Sequence, residues 1–239
     1  MLETYFQTEE MMRGVVQEYS VRRNLWQEPE MTGALSIGLA NGLNGTTIHY
    51  DNLSKRITWE VYRNTRRRGM EQQFGDLSIL VLVQFSDGSR LEGVAFLESK
   101  RVYPSGVFEA LHTPQLTTIR HSAPYAQLLL CDVHQHPSPN WAHSWVPPTN
   151  FHAMPVNTAI PLVDQHIKDR LLYRNCIPLA AQILTRFLWG LDLHFDRRLI
   201  AKVKEAMEDL PEYLNVVQVF YPDQRPLRTV IGSDWEPLR

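Results

Sequence analysis

Phe74-Gly75-Asp76-Leu77-Ser78-Ile79-Leu80-Val81-Leu82-Val83, the turn Ser86-Asp87-Gly88, and Val94-Ala95-Phe96-Leu97-Glu98-Ser99-Lys100-Arg101 together decide the fold of this chain. Leu77, Ile79, Val81, Val83 and Phe85 fall on alternate positions, the period of a strand with one buried face. Ser86-Asp87-Gly88 is turn chemistry, and Leu91 to Leu97 reads as the returning strand. A three-residue loop with Gly88 in the left-handed position of a G1 bulge pairs Phe85 with Ser89. Continued, that register pairs Asp76 with Glu98. The odd face then collects Leu77, Ile79, Val81, Val83, Phe85, Leu91, Ala95 and Leu97 as a core side. Asp76, Glu98 and Lys100 share the even face, because side chains two apart on a strand point the same way. Turn chemistry and hydrophobic alternation agree on this register.

Upstream of the hairpin, Met11, Met12, Val15, Val16 and Tyr19 have helical spacing, and a helix is expected over 5–26. A weaker helix or turn covers 31–43, interrupted by Gly33, Gly38 and Gly42. Asn41, Gly42, Asn44 and Gly45 mark a loop, and a third helix is expected from about Ile57 to Arg68. Downstream come a short helix around Pro114 to Arg120, a strand from Ala126 to Val133, helices at 177–191 and 196–209, and a last strand from Val216 to Tyr221. Residues 134–161 hold six prolines and four histidines, the composition of a long irregular excursion. The expectation is an α/β (α+β) fold, a mixed central sheet flanked by helices. It forms one domain over 1–239, with a core at about 57–133 and helical elaborations on both sides.

The 239 residues are 44% hydrophobic and 21% charged, enough to bury a real core. Twelve glycines and fifteen prolines exclude collagen-like and low-complexity chains. No apolar run approaches the length of a membrane span. The first 25 residues carry Glu3, Glu9, Glu10 and Glu18 without an apolar core segment, so no secretory signal is expected. Cys131 and Cys176 are too few for a disulfide framework or a four-cysteine zinc site, and a reducing, cytoplasmic setting is expected.

The net charge of −2 gives no general case for nucleic acid. Between Lys55 and Arg68, however, Lys55, Arg56, Arg63, Arg66, Arg67 and Arg68 stand against Glu60 alone. The hairpin supplies a use for them. A strand of apolar residues ends in Glu98-Ser99-Lys100, with Asp76 opening its partner. Carboxylate oxygens are hard ligands for Mg²⁺, which keeps several waters and accepts phosphate oxygens. A cation held there stabilises charge on a phosphodiester and acidifies a water, and a neighbouring ammonium can orient that water.

This arrangement resembles the PD-(D/E)XK nuclease superfamily, in which an acid opens one strand and Glu-x-Lys ends the next. The matching residues are Asp76 and Glu98-Ser99-Lys100, within about 57–133. The resemblance implies a restriction endonuclease-like core and Mg²⁺- or Mn²⁺-dependent hydrolysis of DNA. Asp76, Glu98 and the Ser99 carbonyl would hold the metal, and Lys100 would assist the water. Members commonly add a Glu from the preceding helix, for which Glu71 is the closer candidate and Glu60 the alternative. RecB-like relatives place a Gln on the helix after the Lys, and Gln115 occupies that place, although Ile119 stands where an aromatic often closes the motif.

On the same resemblance, the basic stretch from Lys55 to Arg68, joined by Arg101, would contact phosphates and give affinity without sequence information. No Gly-rich phosphate loop with Lys is present, so any ATPase or helicase must be a separate chain. Phage defence is one expected setting, and a homo-oligomer is compatible with it. A different expectation is a non-catalytic or partner-gated nucleic-acid-binding subunit. The rival constellation is Asp132-Val133-His134-Gln135-His136-Pro137. It resembles amidohydrolase metal sites and, with Ser144, JAMM metalloproteases. Those proteases need an Asp where this chain has Pro147, and a Pro-rich loop with histidines against Trp141 and Trp145 is the expectation for that segment. Leu184, Phe187, Leu188 and Leu191 are expected in the core, Cys131 buried and inert, and Arg197 and Arg198 on a solvated face.

Overall fold

In a computed structural model of the protein, the described residues are 1–21, 27–51, 53–65, 73–137, 147–206 and 210–238. Strands β1 (Thr47–Tyr50), β2 (Leu53–Asn64), β3 (Leu77–Gln84), β4 (Arg90–Arg101), β5 (Gln127–His136), β6 (Thr149–Pro155), β7 (Ile177–Pro178), β8 (Tyr213–Phe220) and β9 (Trp235–Leu238) form one sheet. Its order is β1-β2-β8-β3-β4-β5-β6-β7, with β9 beside the far end of β2. The β3–β8 and β4–β5 pairs are parallel and the others antiparallel. The mixed sheet expected from the sequence is therefore observed.

The hairpin keeps the register read from its turn. Leu77 pairs with Leu97 and Gln84 with Arg90, Phe85 N–H donates to the Ser89 carbonyl (2.9 Å), and Gly88 has φ +81°. The ladder stops one pair short of Asp76 and Glu98. Both faces of β3 and β4 are buried, not only the odd one. Leu77, Ile79, Val81, Ala95 and Leu97 pack in one cluster with α1 (Leu2–Ser20), α2 (Glu28–Leu43) and α5 (Leu179–Thr185). Leu80, Val94 and Phe96 pack in a second, with α3 (Thr113–Ser122), α4 (Val156–Asp164) and α6 (Arg197–Lys204). The result is three layers, helices on each face of a sheet whose middle strands are nearly continuous apolar runs. Phe85 departs from the expected core set and is 37% exposed.

The helix expected over Ile57–Arg68 is instead the long strand β2. Ile57, Trp59 and Val61 are buried while Arg56, Thr58, Glu60 and Tyr62 are exposed or half-buried. That is a period of two, built from β-branched and aromatic residues that favour a pleated surface. Charge composition obscured that alternation. Residues 66–72, including Arg66, Arg67, Arg68 and Glu71, lie outside the described residues.

Other elements shift in smaller ways. The weak helix at 31–43 is a full helix, α2, whose glycines permit close approach: a Cβ at Gly33 would meet the Tyr213 hydroxyl at 2.7 Å. The helix expected over 5–26 ends at Ser20, and residues 22–26 are outside the description. The excursion 134–161 is largely regular: β5 runs to His136, and Thr149 onward forms β6 and α4. Of its prolines, Pro155 sits at the junction of β6 with α4 and Pro161 inside α4, while Pro137, Pro147 and Pro148 flank the two strands. Residues 138–146, including Trp141, Ser144 and Trp145, are outside the description. The segment 177–191 divides into β7, α5 and a 3₁₀ turn at Phe187–Trp189, and Leu191 is 48% exposed rather than core. Among the described residues no helix is long and apolar enough to cross a membrane.

Candidate functional site

Chain geometry at the start of β3 places the first carboxylate. Gly75 has φ +89°, and a Cβ there would lie 2.6 Å from the Leu97 carbonyl oxygen, so only glycine fits this exit from the ladder. Asp76 N–H donates to that carbonyl (2.9 Å). The Asp76 side chain then turns onto the end of β4, where its Oδ2 accepts from Ser99 N–H (2.9 Å). In an extended strand a residue's N–H and C=O share one direction and alternate between neighbours. The Ser99 carbonyl therefore faces the side on which β3 has already ended.

Glu98 and Lys100 project from the last turn of pleat in β4 and are almost wholly buried, with side chains 1% and 5% exposed. Lys100 Nζ donates to Glu98 Oε1 at 2.5 Å, and Gln115 Nε2, from α3, donates to the same oxygen at 2.7 Å. Glu98 Oε2 is buried without a hydrogen-bond partner among the described residues, an expensive position for a carboxylate oxygen. From the other face, Glu28 at the start of α2 places Oε2 3.5 Å from Lys100 Nζ and Oε1 3.3 Å from Arg101 N. One turn later Thr32 Oγ1 shares a 3.0 Å hydrogen bond with Ser99 Oγ, which pins α2 onto β4.

Burial raises the Glu98 carboxyl to about 8; the Asp76 charge adds to the rise, Lys100 opposes it, and Glu28 contributes in the same direction as Asp76. Burial alone would lower Lys100, but Glu98, Glu28 and Asp76 outweigh it and hold the ammonium above its ordinary value. The cluster thus carries excess negative charge around one lysine and stores a proton on Glu98 in the absence of a cation. Asp76, Glu98, Lys100 and Gln115, separated by up to 39 positions in sequence, are brought together.

Glu28 is the site residue that sequence reasoning missed. Glu28-Pro29-Glu30 looks like an ordinary acidic helix start, and nothing local ties it to a strand some seventy positions away. Glu60 is not in the cluster: it is exposed on β2, two strands from β3, and accepts from the Tyr62 hydroxyl (2.7 Å). Glu71 lies outside the described residues. Among the described residues no three His, Cys, Asp or Glu side chains are grouped to hold a metal ion. The donor set on offer is two carboxylates and the Ser99 carbonyl. The unpartnered Glu98 Oε2 and the surplus of carboxylates fit a hard divalent cation that completes its shell with water.

Of the expected phosphate-contacting stretch, Arg66, Arg67 and Arg68 lie outside the described residues, and the described Lys55, Arg56 and Arg63 do not form one face. Lys55 is 3% exposed, with its ammonium over the rings of Phe85, Trp189 and Tyr221 at 5.1–5.4 Å. Burial lowers its pKa, and it cannot reach a phosphate. Arg63 binds Glu212 through Nε and Nη2 (3.1 and 2.9 Å). Arg56 is exposed, but on β2, separated from β4 by β8 and β3. Alternation along a strand splits a run of charges between faces, which a helix would not have done. Arg101 does adjoin the cluster, with its guanidinium 4.2 Å above the Tyr103 ring.

The histidine constellation has a different organisation from a zinc site. Asp132 is fully buried and accepts from Arg170 Nε (2.7 Å), the Tyr173 hydroxyl (2.9 Å) and His134 N–H (3.0 Å). Burial pushes its carboxyl up, but these bonds outweigh that and hold it below its ordinary value. His136 Nε2 is 3.1 Å from Asp132 Oδ2, while the His134 side chain is exposed. His152, unremarked in the sequence, lies beneath, stacked on Tyr173 (4.0 Å, 13°). Burial drives its pKa down to about 3, with His136 adding to the effect. Asp132 thus anchors Arg170 and Tyr173. Compared with protein-family models, with curated proteins and with solved structures, the chain has no match in any of the three.

Proposed function

We propose that the chain is a divalent-cation-dependent nuclease that hydrolyses DNA phosphodiester bonds at the end of β4. The observation that carries this reading is the Glu98 carboxylate. One oxygen is held by Lys100 and Gln115, and the other is buried without a partner beside Asp76. A bound Mg²⁺ or Mn²⁺ would supply charge stabilisation and an acidified water. Asp76, Glu98 and the Ser99 carbonyl would hold it. Gln115 fixes the Glu98 carboxylate, and Glu28 holds the Lys100 ammonium where it can orient a water or face a phosphate oxygen. Asp76 has two tasks, since it also caps the Ser99 N–H and so fixes the strand end that carries the other groups.

The test is incubation of the purified protein with supercoiled plasmid, linear duplex and single-stranded DNA in Mg²⁺, Mn²⁺ or EDTA, beside Lys100→Ala and Glu98→Ala. Metal-dependent cleavage lost in both variants is expected. Equal cleavage by wild type and variants would assign the activity to a contaminant or another site. Absence of cleavage under every condition would favour the alternative, a subunit silent without its partner. Tightly bound zinc after dialysis would instead revive the histidine constellation.

A further inference from the structure

A cavity of about 610 Å³ opens beside the cluster, between the end of α1, the start of α2 and the ends of β4 and β5. Its rim is continuous in sequence with the site: Gln27 precedes Glu28, and Arg101 follows Lys100. Arg101, Arg170 and His134 line it, and among the described residues no carboxylate does. Arg170 is fixed rather than neutralised out of reach. Asp132 holds it from behind through Nε and Nη2 (2.7 and 3.3 Å), while its side chain stays 38% exposed. Tyr103 adds a half-buried ring carrying the Arg101 guanidinium on its face. Two arginines and an aromatic face in a concave, water-accessible space match a phosphate joined to a flat ring. The volume lies in the range of small-ligand pockets. Two other cavities differ in chemistry. One, about 400 Å³ between α2 and β2, has Glu60 and no basic residue. Another, about 340 Å³ beside Arg90, offsets its basic residues with Glu92.

We propose that this cavity holds an unpaired nucleotide of the strand being cut, with its phosphate on Arg101 and Arg170 and its base against Tyr103. The proposal deepens the nuclease reading and rests on it. A base seated in this open cavity against Tyr103 cannot also be paired, so the substrate class is single-stranded DNA or a frayed duplex end, which spares the cost of flipping a base out of intact duplex.

Two measurements separate the cavity from the chemistry. In EDTA, calorimetric titration with thymidine monophosphate, thymidine and inorganic phosphate reads the cavity alone. The monophosphate is expected to bind at least about tenfold more tightly than either fragment. Arg101→Gln and Tyr103→Leu should each weaken it by about tenfold, with unchanged far-ultraviolet circular dichroism showing that both variants fold. In Mn²⁺, one oligonucleotide is then compared single-stranded and in duplex, counting only cleavage that Lys100→Ala abolishes. Single-stranded preference is expected, and Arg101→Gln should reduce it. Monophosphate binding that is absent, equal to that of phosphate alone, or unaffected by both variants overturns the proposal. So does equal cleavage of both forms. If no cleavage occurs at all, the nuclease reading fails while the binding titration still decides what the cavity takes.

Discussion

Replacing Glu98 by Gln is expected to make the protein gain stability relative to the wild type as pH rises from 5 to 8, while abolishing its metal-dependent activity. In the folded protein burial, and after it the Asp76 charge, push the Glu98 carboxyl up to about 8, against an ordinary 4.5. Between those values the folded state holds a proton that the unfolded chain has released, so stability falls as pH rises. The contribution is complete below 4.5 and is lost as pH climbs through 8. At about 1.4 kcal/mol per pH unit, the wild type at pH 7 is destabilised on the order of 3 kcal/mol by this one group. Gln has no such proton linkage, and its carbonyl oxygen can still accept from Lys100 and Gln115. Its amide NH₂ would occupy the place of the unpartnered Oε2 at a pH-independent cost of about 1–3 kcal/mol. The slope against pH is therefore the test, not the offset. Urea unfolding of both proteins in EDTA at pH 5, 6, 7 and 8 should show the Gln variant gaining on the wild type at each step. Parallel profiles, or a Gln variant that loses ground as pH rises, would refute the assignment of a stored proton to Glu98.

Gly75→Ala forces a left-handed φ on a residue with a Cβ and drives that carbon against the Leu97 carbonyl. It should cost about 2–4 kcal/mol in chemical denaturation and lower cleavage by displacing Asp76 from Ser99 N–H; unchanged stability would mean that the chain leaves β3 differently. Gln115→Ala removes a donor to Glu98 without touching Lys100, and a 10–100-fold loss of cleavage rate or metal affinity is expected; wild-type titrations in Mn²⁺ would exclude its positioning role. His152, driven down to about 3 by burial, binds no proton in the fold where the unfolded chain does. Stability should therefore fall as pH drops from about 6.5 toward 3, by up to roughly 1.4 kcal/mol per unit. His152→Phe should flatten that acid limb in thermal melts, and an identical limb in the variant would place its origin elsewhere.

The hairpin was legible because its determinants are local. Alternation along Leu77 to Val83 selects the face, and Ser86-Asp87-Gly88 sets the loop, so register follows from neighbours in the chain. That register alone brings Asp76 toward Glu98 and Lys100, while Gln115 was reached only through the resemblance, which places a Gln on the helix after the Lys. The misread stretch, 57–64, had its own local signal in Ile57, Trp59 and Val61, which the density of arginines concealed. Lys55 shows why charge content is a poor guide to a binding face. Its ammonium is buried over Phe85, Trp189 and Tyr221, residues drawn from three distant parts of the chain.

By itself, then, the sequence determined the mixed α/β character, the central hairpin and the nucleus of the candidate site, since each depends on periodicity and turn geometry over a few residues. Only the tertiary structure decided that Glu28 completes the acidic cluster, that Arg170 and Tyr103 share a cavity with Arg101, and that Asp132 is buried beneath Arg170 and Tyr173 and anchors both. Those contacts depend on how α2, β5 and the 3₁₀ turn at Arg170–Asn175 pack around the end of β4. Burial and charge are properties of that packing, and no short window of sequence contains it.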